Sequence, residues 1–210
     1  MRVRLLLLLV ATLLLAGCGD RSTPSADALA PSSSVLAAAT SAQPVPVRQL
    51  PKGTALGTFL PYQAGSKAIT YDAAVVPPGA TARLAIARSA DGLTVRLAVT
   101  GLIPRRAYGA HLHTKPCAAL PDAAGPHYQH DADPTMPSVD PSYANPENEV
   151  WLDFTADTTG SAFTISAQPW TFDDKRPPRS LILHAQVTRT KKGVAGTAGP
   201  RVACLTLPPT

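Results

Sequence analysis

The sequence lacks the features that mark several common functional classes. It has no run of five basic residues, and its 19 Lys and Arg stand against 14 Asp and Glu, so no nucleic-acid partner is expected. It has no nucleophile elbow, phosphate-binding glycine loop or paired-carboxylate motif of a hydrolase. No stretch shows a sustained helical period, and no apolar run reaches the about 20 residues that span a bilayer.

The N-terminus predicts export. Arg2 and Arg4 precede an apolar run over 5–15, and a Leu-Ala-Gly-Cys sequence then ends at Cys18. This is the pattern of a bacterial lipobox, in which the cysteine is lipidated and becomes the mature N-terminus. We therefore expect a signal peptide over 1–17 and a lipoprotein held by Cys18 on the extracytoplasmic side of the cell membrane. An ordinary secretory signal with an incidental cysteine is the alternative.

Residues 18–51 differ in composition from the rest of the chain. They are rich in Ser, Ala, Pro and Thr and have few large apolar residues, so they bury too little surface to offset the entropy of ordering. We interpret them as a flexible tether between the lipid anchor and a folded domain over 52–210. A low-complexity binding segment is the alternative.

The folded domain is predicted to be all-β. Residues 93–99 alternate between apolar and polar or small side chains, as in a strand with one buried face, and Asp91-Gly92 before them signals a hairpin. Further strands are predicted at 67–76, 84–88, 107–113, 150–156, 161–167, 180–188 and 201–207. Short strands separated by Pro and Gly clusters, among 22 prolines, indicate an antiparallel sandwich or barrel.

The five histidines fall in three places. His111 and His113 are two residues apart in a strand, so both imidazoles project from one face and can reach one metal ion. His184 ends an apolar strand, where a hydrogen-bonded core histidine is the alternative, and His127 and His130 lie in a long loop over 115–149. A set of imidazole nitrogens suits Cu(II), although zinc also accepts imidazole.

Two cysteines remain if Cys18 carries a lipid. Cys117 and Cys204 are then an even pair in an exported protein, where a disulfide persists. Such a bond would close a loop that contributes about 4 kcal/mol on the chain-entropy model. Two separate buried thiols are the alternative.

Several segments occur in an order that matches a known family. The chain reads Gly109-Ala110-His111-Leu112-His113, Cys117, Gly125-Pro126-His127-Tyr128, Leu183-His184 and then Gly196-Thr197-Ala198-Gly199-Pro200-Arg201-Val202-Ala203-Cys204. This order resembles the Cu/Zn superoxide dismutase family, with its His-x-His pair, first cysteine, bridging histidine, strand histidine, Gly-rich segment, arginine and second cysteine. The resemblance covers about 67–207.

The resemblance implies a Greek-key β-sandwich or flattened barrel, and it implies the roles of the site residues. The copper ligands would be His111, His113, His127 and His184. Arg201 would lie beside the copper and guide superoxide, since a guanidinium suits a small oxyanion. The bridging histidine would take part in catalysis by accepting a proton, and the two cysteines would form the family's disulfide. A surface position near that disulfide is the alternative for Arg201.

The zinc site of the family is not matched. That site uses the bridging histidine, two more loop histidines and an aspartate, but no histidine lies between His130 and His184. The segment 145–150 offers carboxylates at about the corresponding place. The aspartate that supports the metal ligands in the family is also missing from 185–195. Zinc binding is therefore doubtful, and His130 is only a possible metal contact.

Without zinc, His127 needs another partner to fix its ring, because the second nitrogen of a ligand histidine is usually hydrogen-bonded. The candidates in the same loop are Asp131, Asp133, Glu147, Glu149 and His130. The predicted function is a copper-dependent superoxide dismutase whose partner is the superoxide anion, favoured by the modest net charge of +5. A copper-binding or copper-buffering surface lipoprotein is the alternative, and a metal-free adhesion sandwich is a third reading.

Overall fold

The computed structural model describes residues 52–209. The predicted signal peptide over 1–17, the lipidation of Cys18 and the tether over 18–51 lie outside the described residues. The strands are β1 (Thr54–Thr58), β2 (Ala68–Thr70), β3 (Thr81–Ser89), β4 (Gly92–Thr100), β5 (Ala107–His113), β6 (Phe154–Thr155), β7 (Ala162–Gln168), β8 (Ser180–His184) and β9 (Arg201–Thr206). In this part of the chain no helix is long and apolar enough to span a membrane.

The strands form two antiparallel sheets. One has four strands in the order β1-β3-β4-β7, and the other has five in the order β2-β9-β8-β5-β6. The chain changes sheet on either side of β2, between β4 and β5, and on either side of β7. As a result β5 pairs with β8 rather than with β4. The prediction of an all-β Greek-key sandwich is confirmed.

The core lies between the two sheets and follows the period-two pattern of the sequence. On β4, Leu93, Val95, Leu97 and Val99 are all buried, whereas Arg96 on the opposite face is exposed. Such strands gain stability mainly from apolar area removed from water. The hairpin predicted at Asp91-Gly92 joins β3 to β4.

The structure corrects several strand boundaries. The predicted strand 67–76 has only the three residues of β2, because the chain turns at Asp72, whose carbonyl accepts from the amide of Val76. The predicted strand 180–188 ends at His184, where the pairing with β9 has an irregular register. In the predicted strand 150–156 only β6 pairs regularly. Strand β1 was not predicted.

The disulfide between Cys117 and Cys204 is present, which confirms that prediction. Cys204 lies buried in the middle of β9, and the amide of Cys117 donates to the hydroxyl of Thr206 on the same strand. The bond therefore fixes the start of the long loop over 115–149 to the five-stranded sheet. A disulfide of this kind is typical of proteins outside the reducing cytoplasm.

Candidate metal centre

Three of the histidines project from the five-stranded sheet. On β5 the alternate residues Tyr108, Ala110 and Leu112 face the core, so His111 and His113 face outward together. His184 ends the neighbouring strand β8, opposite Gly109 of β5. The sheet thus brings residues that are far apart in sequence onto one surface.

The fourth histidine is brought in by the long loop. The amide of Thr114 donates to the carbonyl of Pro126, and that of Tyr128 to the carbonyl of Leu112, so the loop returns along β5. This pairing places His127 opposite His113 as an isolated β-bridge. Gly125, just before it, has φ +76°, and a Cβ there would lie 2.5 Å from the hydroxyl of Thr114.

The ring nitrogens of the four histidines converge. One nitrogen from each of these side chains, hereafter the four-histidine cluster, lies within 4.8 Å of the others. The members are His111, His113, His127 and His184. No other cluster of His, Cys, Asp or Glu with metal-ligand spacing occurs within residues 52–209.

The hydrogen bonds decide which nitrogen of each ring carries the proton. The Nδ1–H of His113 donates to the carbonyl of Gly125 at 2.9 Å, and that of His184 to the carbonyl of Gly199 at 3.3 Å, since a carbonyl can only accept. The Nδ1–H of His127 donates to Glu149 at 2.8 Å. In these three rings the lone pair is therefore on Nε2.

In His111 the proton is on Nε2 instead of Nδ1. The hydroxyl of Thr188 donates to Oδ1 of Asp153 at 2.8 Å, so its oxygen accepts from Nε2–H of His111 at 2.6 Å. The lone pair of His111 is then on Nδ1. Asp153 also accepts from the amides of Ala110 and Thr188, at 3.1 and 2.7 Å. This carboxylate therefore fixes both the strand and the loop around His111.

The residues fit a metal ion. Nδ1 of His111, Nε2 of His113 and Nε2 of His184 are buried and have no hydrogen-bond partner. Buried polar atoms normally find a partner, and leaving one without costs free energy. Each of these three nitrogens has a lone pair that points toward the other two. Together they form the donor set that a metal ion requires.

Burial keeps these rings neutral. It lowers the pKa of His111 and His113 well below the usual 6.5 and lowers the pKa of His184 to about 3. The proximity of His127 and the positive charge of Arg201 lower all three pKa values further. Neutral imidazoles are the form that binds metal.

Glu149 occupies the side of His127 that faces away from the cluster. This carboxylate is buried, and Oε2 accepts from both His127 and Nε1 of Trp151, at 2.8 and 2.7 Å, while Oε1 accepts from Gln129 at 2.8 Å. Among the candidate partners of His127, the structure therefore selects Glu149. Three donors hold the carboxylate in place.

The other candidate partners lie elsewhere. Asp133 accepts from the hydroxyl of Ser138, and Asp131 and Glu147 are exposed. His130 is outside the four-histidine cluster, and its ring stacks on Trp170 with centroids 4.7 Å apart. The structure thus gives no support to a metal contact by His130.

Arg201 lies in the same cavity as the cluster. A cavity of about 680 Å³ is lined by His127, His184 and Arg201, among others. The guanidinium donates to the carbonyl of Pro121 at 3.1 Å and is 3.8 Å from the exposed carboxylate of Asp122. Partial burial lowers the pKa of Arg201 from its usual 12.5, opposed by Asp122, and the side chain keeps 20% of its surface exposed. It is therefore a cation that a small anion in the cavity can reach.

Sequence reasoning missed Thr188, Asp153 and Trp151. A signal was present, because Val150, Leu152 and Phe154 are core residues and their alternation places 149, 151 and 153 on the outer face. That is the face on which His111 lies, and an isolated bridge pairs His111 with Trp151. Nothing in the sequence pattern indicates the contact of Thr188.

Solved structures of similar fold are known. A Cu/Zn superoxide dismutase from Brucella abortus is 20% identical, with a TM-score of 0.46, over 73% of this chain and 96% of that chain. A single mutant of a SOD-like protein from Bacillus subtilis is 19% identical, with a TM-score of 0.46, over 60% and 88%. A double mutant of a SOD-like protein from the same organism is 19% identical, with a TM-score of 0.45, over 59% and 86%.

No family model matches the chain, and no curated protein matches it. The structural similarities concern the fold, so the chemistry of this chain's own cavity decides which function it supports. That cavity joins a four-histidine cluster able to hold a metal ion to an accessible arginine.

Proposed function

We propose that this chain is a copper-dependent superoxide dismutase that works without zinc outside the cytoplasm, tethered to the membrane by a lipid on Cys18. The observation that carries the proposal is the convergence of four imidazole lone pairs on a cavity that also contains Arg201. An all-nitrogen donor set favours copper among the common metals. Bound copper would supply the one-electron chemistry that turns two superoxide anions and two protons into oxygen and hydrogen peroxide.

The protein's own task is to attract and orient the anion. From Lys175 to Pro209 the described chain contains no Asp or Glu, and this segment supplies one wall of the cavity, including Gly199 and Arg201. Its cations are Lys175, Arg176, Arg179, Arg189, Lys191, Lys192 and Arg201. The opposite side of the cavity carries Asp122, Asp133 and Glu149, so the positive wall attracts an anion only to its own side of the cleft.

The contact between His127 and Glu149 supports the zinc-free form of the proposal. Nδ1 of His127 faces a carboxylate that also accepts hydrogen bonds from Gln129 and Trp151. This contact gives the ring the fixed tautomer and orientation that a ligand histidine needs. Glu149 holds the Nδ1 proton of His127, so Nε2 is the ring nitrogen left free to hold a metal ion or to take up a proton.

The first experiment measures metal content and superoxide dismutation on the same copper-loaded protein. We expect a single copper and no zinc per chain, with dismutation abolished by His184→Ala, which removes one member of the cluster. His130→Ala is the matched control, because it removes a histidine that stacks on Trp170 outside the cluster. Copper binding without dismutation would instead support a copper-holding lipoprotein.

A second variant tests whether Arg201 guides the superoxide anion. The cavity is lined by two arginines, of which Arg176 is paired with Asp173 at 3.0 Å. Arg201→Gln removes the other while leaving the four-histidine cluster intact, and we expect a loss of about tenfold or more in dismutation rate at low salt. Arg88→Gln is the control, since Arg88 pairs with Asp174 and does not line the cavity. Equal rates in both variants would remove Arg201 from the proposal.

A further inference from the structure

The outer face of the four-stranded sheet combines apolar and basic side chains. Strand pairing aligns Leu56 on β1 with Arg83 on β3, and continues this row across β4 to Phe163 on β7. The next row on the same face pairs Arg96 of β4 with Ile165 of β7. These five residues are hereafter the basic-apolar face.

The large apolar side chains of this face are open to solvent. Leu56 is 57% exposed, Phe163 is 63% exposed and Ile165 is 50% exposed, whereas Leu84 and Leu97 on the inner side of the same sheet are buried. The strand alternation therefore places these side chains outside rather than in the core. Clustered exposed apolar residues of this kind mark interaction surfaces.

The charge of the face has one sign. Strands β1, β3, β4 and β7 contain no Asp or Glu, and β3 and β4 contain arginines. Arg88 pairs with Asp174 at 3.0 Å, but among the described residues neither Arg83 nor Arg96 lies within ion-pair distance of a carboxylate. Two uncompensated cations next to exposed apolar side chains suit a partner that is both anionic and able to accept apolar groups.

We propose that the basic-apolar face docks on an anionic phospholipid surface. Phe163 and Ile165 would enter the boundary between headgroups and acyl chains, and Arg83 and Arg96 would bind lipid phosphates. Charge disfavours a second copy of the chain as the occupant, because a two-fold contact through this face would bring the arginines of both copies together. Lipid phosphates offer the complementary sign.

Docking in this way would orient the metal centre. The four-histidine cluster lies on the outer face of the other sheet, since His111 and His113 point away from the core. The sandwich would then stand between the bilayer and the cavity, with the cavity open to the outside. The proposal depends neither on the metal nor on dismutation.

The test uses the chain from residue 18 onward with Cys18→Ser, so that no lipid is attached. The strands described over 52–209 all lie within this protein, so it retains the whole sandwich. Binding is measured by co-sedimentation with vesicles of phosphatidylcholine alone and of phosphatidylcholine mixed with phosphatidylglycerol. We expect binding that needs phosphatidylglycerol and weakens with salt.

Two double variants probe the face. Each arginine near an anionic surface contributes about a factor of five in affinity, so Arg83→Gln with Arg96→Gln should weaken binding by about 30-fold. Phe163→Ser with Ile165→Ser should weaken it by a similar or larger factor, because both side chains lose their insertion.

Matched controls come from loops that cover the five-stranded sheet. Lys191→Gln with Lys192→Gln removes two exposed cations, and Leu120→Ser with Val187→Ser removes two exposed apolar side chains. The proposal predicts that both leave vesicle binding unchanged. It is overturned if the control variants lose as much vesicle binding as the face variants, or if vesicles of pure phosphatidylcholine bind the protein equally well. It is also overturned if the protein does not bind vesicles and light scattering shows a dimer that Phe163→Ser separates.

Discussion

The orientation of one side chain, His127, is fixed by a carboxylate on the side of the ring that faces away from the four-histidine cluster. Its Nδ1 faces Glu149 instead of a second group of metal-ligating residues. The carboxylate is 1% exposed and is itself held by Trp151 and Gln129. A protein group therefore provides the support that the resemblance to Cu/Zn superoxide dismutases would assign to zinc.

Glu149→Gln is expected to weaken copper binding by about 10- to 100-fold, the usual effect of removing the partner of a ligand histidine. The amide has one acceptor oxygen in place of two, so it cannot receive all three of the present hydrogen bonds. Copper affinity is measured by competition with a chelator. Glu147→Gln, at an exposed position in the same loop, is the control. Equal affinities for the two variants would contradict a positioning role.

The residues of the site differ in how far the sequence predicts them. The order of motifs named all members of the four-histidine cluster, because a strand period and a His-x-His spacing are local signals. It left the partner of His127 open among loop residues, since a long loop has no period from which its path can be predicted. It missed Thr188, because that contact depends on how the loop after His184 folds back onto β5.

At the scale of elements, the segment after β8 packs closely against β5 at Gly109. A Cβ on Gly109 would lie 2.6 Å from the carbonyl oxygen of Gln186 and 2.7 Å from Cβ of Ala198, so only glycine allows this close approach. The same segment carries Thr188, which links His111 to Asp153. The fit of this loop and the orientation of His111 are thus coupled.

Thr188→Val keeps the shape of the side chain but removes the hydroxyl. The buried Nε2–H of His111 then loses its acceptor, and we expect the copper-free protein to lose about 1–3 kcal/mol of unfolding free energy. Copper affinity should fall as well, because the ring loses its fixed tautomer. Urea unfolding and chelator competition measure the two effects. Thr190→Val, at an exposed position of the same loop, should change neither.

The disulfide joins an irregular element to a regular one, and its removal tests how much the long loop depends on β9. Cys117→Ala with Cys204→Ala frees a span of 87 residues, which costs about 4 kcal/mol on the chain-entropy model. The urea midpoint should fall accordingly. The same midpoint shift on adding a reductant to the unmodified protein would confirm the cause, and an unchanged midpoint in the variant would refute it.

At the scale of the whole molecule, the pattern of strands was predictable and the loops were not. Strand β4 was predicted within one residue at each end because its alternation is uninterrupted, and β5 over 107–113 was predicted as observed. The segment 150–156 was predicted as a strand, although most of it packs without regular pairing. Tertiary contacts, which composition does not report, decide such segments.

The cluster also makes the stability of the copper-free molecule depend on pH. Burial places the folded-state pKa of His111, His113 and His184 below the unfolded value of 6.5. The unfolded chain therefore takes up protons first as the pH falls. Stability from these groups is intact above 6.5 and is lost progressively below it, down to about pH 3 for His184.

Each such histidine steepens the loss by up to about 1.4 kcal/mol per pH unit. His184→Asn should therefore reduce the slope of unfolding free energy against pH by about one proton. Urea unfolding of copper-free protein at several pH values measures the slopes. Identical slopes for the unmodified protein and this variant would show that the cluster does not control acid stability.

The positions of the cluster and disulfide residues along the chain affect when each can form during synthesis. His184 and Cys204 belong to the last two strands, β8 and β9. The residues that they meet, the histidines of β5 and Cys117, come earlier in the chain, before β6 and β7. A chain that lacks its final strands can complete neither the cluster nor the disulfide, however well its first hairpin has formed. On the proposed function, metal binding would thus report that synthesis and folding have both passed β9, and a chain that stops before β8 would lack one ligand of the cluster.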